Sequence, residues 1–132
     1  MEISLISLPP NHPDIARTYN NIGLVYGNQG DYEKALKYYE KSLQIRFIAL
    51  PPNHPDIART YNNMASRYQH QGDYEKALKY YEKDLEISLI SLAPNCPSIA
   101  ATYNNIGSVY DSQGDYEKAL KYYEKVCNEA RT

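Results

Sequence analysis

"NHPDIARTYNN" occupies residues 11–21 and recurs unaltered at 53–63, and at 95–105 it returns as "NCPSIAATYNN". Forty-two residues separate each copy from the next, and the blocks beginning at Asn11 and Asn53 agree at about 30 of 42 positions. A period of this fidelity requires an architecture in which every block sits in the same surroundings. Stacked supersecondary units meet that requirement, because each buries its apolar face against its neighbours.

Within a block the apolar pattern is helical twice. Ile15, Tyr19, Ile22 and Tyr26 recur at spacings of four, three and four, which draws one stripe along a helix. Pro13 suits the first helical position, where its fixed φ is pre-set and its missing N–H is not needed. Asn11 or His12 supplies the cap. The stripe stops at "NQGD" (28–31), where Gly30 fits the left-handed residue that closes a helix and Asp31 the N-cap of the next. The second helix turns Tyr32, Ala35, Leu36, Tyr39 and Leu43 inward. Glu33 stands four residues before Lys37 on its outer face, the favoured order for that pair. Pro51 and Pro52 bar further helix. The expectation is an antiparallel helix pair per block, and an all-α solenoid built by stacking the pairs.

The blocks set the boundaries. Residues 1–8 match 85–92 at all but one position, so 1–10 read as part of a second helix from a preceding repeat. Residues 11–52, 53–94 and 95–132 read as three repeats of one domain. Ile3, Leu5, Ile6 and Leu8 are expected to pack on the first hairpin. Neither end carries a polar capping helix, which leaves the ends open to head-to-tail self-association.

The stretch "TYNNIGLVYGNQGDYEKALKYYEKSL" (18–43) resembles a tetratricopeptide repeat. The family's large aromatic, Leu-Gly pair and Tyr fall on Tyr19, Ile22-Gly23 and Tyr26, and its second-helix Ala and aromatic on Ala35 and Tyr39. The second copy offers Tyr61, Met64-Ala65, Tyr68, Ala77 and Tyr81, and the third Tyr103, Ile106-Gly107, Tyr110, Ala119 and Tyr123. The common repeat has 34 residues and this one has 42, the surplus lengthening the second helix by about two turns. That length, with "HPDIA" opening the first helix, is similar to the kinesin light chain branch. The resemblance implies a right-handed superhelix whose first helices line a concave groove that takes extended peptides.

Bulk properties narrow the function. A formal net charge of −2 gives no basic patch for nucleic acid. "MEISLISLPP" fits neither a signal peptide nor a membrane span, so no membrane partner is expected. Cys96 and Cys127 sit at unrelated points of the repeat, which favours reduced thiols in a cytoplasmic protein. The fifteen tyrosines follow from the repetition, at five per block, and read as core. His12, His54 and Cys96 lie one repeat apart, without the close pairing that metal sites show. They read as caps or loop packing. No nucleophile–base order, phosphate loop or nucleotide fingerprint occurs, so neither catalysis nor a cofactor is expected.

Candidate binding residues follow from comparing the copies. Differences gather at 22–28 and its equivalents, "IGLVYGN", "MASRYQH" and "IGSVYDS", and again in the tail of the second helix. Variation on a fixed frame suits partner reading, or drift on an exposed surface. Leu24, Ser66, Ser108, Asn28 and His70 fall in these segments. Arg17 and Arg59, with Ala101 as the third counterpart, suggest an acidic ligand residue near the N-terminal end. Each first helix also repeats two asparagines, although asparagine competes for backbone bonds inside helices. By the resemblance, Asn21, Asn63 and Asn105 match positions that grip a peptide backbone, since one amide offers both donor and acceptor. Three copies would span about 20 Å, or about six residues of extended ligand. The alternative is that these asparagines bond between neighbouring helices. The leading expectation is a non-catalytic scaffold binding an extended peptide, and its rival is a self-associating repeat array without a dedicated ligand.

Overall fold

The computed structural model describes residues 12–51, 53–91 and 97–131. The stub at 1–10 and Cys96 lie outside these residues. Six helices follow one another: α1 Pro13–Asn28, α2 Tyr32–Ala49, α3 Pro55–Gln71, α4 Tyr74–Ser91, α5 Pro97–Ser112 and α6 Tyr116–Arg131. No strand occurs among the described residues. Each odd helix packs along the even helix that follows it. The even helix then packs on the next odd one, and α1 also touches α3. The architecture is an α-solenoid of three stacked pairs.

Local chemistry sets the helix limits. His12 caps α1 and His54 caps α3, each Nδ1 accepting from the backbone N–H two residues on at 3.0 Å. The two histidines thus act as caps, one of the two roles the sequence allowed them. Asp31, Asp73 and Asp115 accept from the N–H groups of Lys34, Lys76 and Lys118, holding the first turns of α2, α4 and α6. Between the helices of each pair, Gly30, Gly72 and Gly114 take φ of +82 to +85°, a left-handed turn that side chains resist.

The cores run across unit boundaries. Ala35 and Tyr39 of α2 close on Met64 of α3, and Ala77 and Tyr81 of α4 close on Ile106 and Val109 of α5. Gly23 lets α1 approach α2, since a Cβ there would lie 2.7 Å from the ring of Tyr39. In each unit three tyrosines line the seam between the paired helices, half-buried except for Tyr61 and Tyr103, which are buried. Tyr26 and Tyr38 stack at 5.6 Å, with Tyr19 tilted 5.9 Å from Tyr38. Lys34 and Lys41 lie over these rings, and the second and third units repeat the arrangement.

Tyr32 and Tyr116 show what a following unit does. Both begin an even helix with the same sequence, "DYEKALKYYEK". Tyr32 is half-buried beside His70 and Arg67 of α3. Tyr116, which no described helix covers, is 64% exposed.

Candidate functional site

Two adjoining clefts lie where the second unit meets the third. The first, of about 360 Å³, is walled by Asn62, Ser66, His70 and Tyr81 of the second unit and by Asn105 of α5. Helical spacing puts Asn62, Ser66 and His70 on one face of α3, four residues apart. That face is held in place by the apolar side of the same helix, where Met64 and Ala65 are buried. Gln69 ties the wall together: it accepts from the Tyr81 hydroxyl at 2.9 Å and donates to Ser108 Oγ at 3.2 Å. Burial pushes the Tyr81 hydroxyl up to about 12, so it remains a donor.

The second cleft, of about 290 Å³, shares Asn62 and extends to Arg59, Asp84, Ser88 and Thr102. Asp84 projects from the inner side of α4 and is only 5% exposed. Its Oδ2 accepts from Asn62 Nδ2 at 3.0 Å and Thr102 Oγ1 at 2.9 Å, and its Oδ1 from Ser88 Oγ at 3.0 Å. Burial raises the Asp84 carboxyl above the ordinary carboxylate range, and these three hydrogen bonds draw it part of the way back.

The residues singled out from sequence separate into groups. Ser66, His70 and Asn105 meet in the first cleft, with Ser108 bonded to its wall, and Arg59 lines the second. Asn21, Leu24 and Asn28 are exposed on α1 and line neither cleft. Arg17 is engaged by Asp14 at 2.9 Å on an exposed surface. Asn63 donates through Nδ2 to Asn20 Oδ1 at 3.1 Å, a bond from α3 back to α1. Here an amide serves the helix–helix contact that sequence left as the alternative. Asp84, Thr102 and Asn62 were missed. Position 84 had a signal, since it opens the tail of the second helix, where the copies differ (Ser42, Asp84, Val126).

A tetratricopeptide-repeat family model matches residues 2–46, 14–88 and 56–130. No curated protein matches by sequence. Among solved structures, BtubC (BKLC) from P. vanneervenii superposes with a TM-score of 0.87 at 23% identity, covering 97% of this chain and 51% of that one. A kinesin light chain candidate from Podosopora anserina with nearly identical TPR-like repeats gives 0.75 at 23%, covering 87% and 55%. The N-terminal domain of stress-induced protein-1 from C. elegans gives 0.73 at 22%, covering 91% and 87%. At these identities the likeness is one of fold. The chain spans about half the length of the first two.

Proposed function

The chain belongs to the tetratricopeptide repeat family, and on that premise we propose that it is a non-catalytic scaffold that binds an extended peptide along the first helices. The observation that carries this reading is the cleft in which Asn105, Ser66 and His70 converge, walled by polar groups around a buried frame. Asn105 is half-buried there, free to offer its amide to a peptide unit. Asn63 still presents its Oδ1 while its Nδ2 holds Asn20. Asn21 extends the row onto α1. Among the described residues no helix is long and apolar enough to cross a membrane, which suits a scaffold working in the cytoplasm.

The test is a peptide selected on this chain from a random display library, titrated against the parent and Asn105→Ala. One lost neutral hydrogen bond of about 0.5–1.5 kcal/mol predicts an affinity about 2–12-fold lower. Equal affinity in Asn105→Ala and in Asn63→Ala would remove the asparagine row from the reading.

A second reading, self-association, is favoured by a mismatch between the ends. Leu120 on α6 is 60% exposed, whereas its counterparts Leu36 and Leu78 are half-buried beneath the next odd helix. Val25 on α1 is 56% exposed, whereas Val109 at the same place on α5 is fully buried against α4. A second copy laying α1 on α6 would repeat the contact that α5 makes with α4. Such a contact is heterologous and does not close on itself. Sedimentation from micromolar to millimolar concentration is expected to show growing species, and Leu120→Glu to abolish them. A monomer throughout that range would refute the contact.

A further inference from the structure

The two unit junctions differ in the side chains that line them. In the first junction, Arg46 of α2 is buried at 5% exposure, and its guanidinium lies against α3. There Nη1 donates to the backbone oxygen of Asp56 at 2.9 Å and to Thr60 Oγ1. Forty-two residues on, the position of Arg46 is held by Ser88, whose side chain ends one atom past Cβ. The volume that the arginine fills in the first junction is open in the second, and this is the cleft of about 290 Å³. Its walls include Ser98 and Thr102, the counterparts of Asp56 and Thr60.

The wall has also changed sign. Ser42, which donates to the Ala16 carbonyl at 2.8 Å, is replaced by Asp84. The Asp84 carboxylate is buried among neutral donors only, and among the described residues no Lys or Arg pairs with it. A buried carboxylate without a counter-ion is costly, and a planar guanidinium is the cation that best matches a carboxylate beside a hydroxyl.

We propose that the cleft between the second and third units binds a guanidinium group, the arginine side chain of a partner peptide, with Asp84 as its counter-ion and Thr102 as a further acceptor. The site replaces an internal arginine by an external one. Asn62 lines both clefts, so a peptide lying along α3 and α5 can lower an arginine into this one. Arg59 stands exposed at the rim and opposes the incoming cation, which makes it a restraint on affinity. The inference rests on the peptide reading only for the remainder of the ligand.

N-acetyl-arginine amide tests the cleft alone, by calorimetric titration of the full chain beside N-acetyl-lysine amide. Binding of the arginine compound is expected, with the lysine compound at least about tenfold weaker, because an ammonium is a point charge without the planar fork. Asp84→Asn is expected to weaken binding about 10–100-fold, the range for a hydrogen bond to a charged group. Arg59→Ala is expected to tighten it. Ser88→Arg gives the second junction the arginine of the first, so it should abolish binding and raise the melting temperature. Should Asp84→Asn fail to fold, Ser88→Arg decides alone: a folded Ser88→Arg protein that still binds the amide overturns the proposal. So does an absence of arginine binding to the parent. Asn105→Ala should leave the amide untouched while weakening the selected peptide, which keeps the failure of one reading distinct from failure of the other.

Discussion

Tyr81→Ala is expected to lower the free energy of unfolding by about 3–5 kcal/mol, the range for truncating a large buried aromatic. Tyr81 is fully buried between Ala65 and Ala77 of its own unit and Ile106 and Val109 of the next. Its removal therefore opens a void inside the second unit and at the same time loosens the contact that holds the third. In a stack where each unit touches only its neighbours, stability is a sum of unit and junction terms, and this substitution reduces both. Tyr123 is its counterpart in α6 and is half-buried against Gly107, with no further described unit over it. Tyr123→Ala should cost clearly less, and the difference measures the junction. The phenylalanine variants separate packing from polarity. The Tyr81 hydroxyl has a partner in Gln69, so Tyr81→Phe should cost about 1 kcal/mol. The Tyr39 hydroxyl is buried without a partner among the described residues, because Gly27 stands where the second unit has Gln69. Tyr39→Phe should be neutral or stabilising. Urea unfolding of the variants checks all of this, and equal losses at Tyr81 and Tyr123 would contradict the account.

These contrasts mark what a sequence can disclose here. Helix limits are decided by residues within a turn of one another, so His12, Asp31, Gly30 and their copies could be read in place. The small residues at the close approach, Gly23 and Ala35, were equally plain, because three copies present the same pattern. The junctions are another matter. Asn63 meets Asn20 across 43 residues, and Arg46 meets Thr60 only because α2 leans on α3. Such pairs depend on how far each side chain reaches into the neighbouring unit, and neither period nor propensity encodes that distance. Charge shows the same limit. Arg17 and Arg59 suggested an acidic ligand residue, while the Asp14 that engages Arg17 and the Asp84 carboxylate that lines a cleft with Arg59 emerge only from the fold.

The double variant Ser42→Asp/Arg46→Ser carries the second junction's residues into the first, and two results are expected of it. Stability should fall by about 2–4 kcal/mol. Arg46 covers apolar surface with its stem and makes two charge-assisted bonds, and its loss leaves a cavity where α2 meets α3. The loss is limited by a saving: burial already lowers the pKa of Arg46, the mark of a cation held at a cost, and the smaller residue removes that burden. The carboxylate introduced in place of Ser42 then occupies the position that Asp84 holds in the next unit, with Asn20 and Thr60 at the places of Asn62 and Thr102. If the vacated volume and the carboxylate together are what accept a guanidinium, the variant should bind two equivalents of N-acetyl-arginine amide where the parent binds one. Asp84→Asn in the same background should return the count to one. The first junction keeps Arg59 where the second has Ala101, so the new site should be the weaker of the two. A destabilised protein that still binds a single equivalent would mean that the space left by an arginine does not by itself make a place for another.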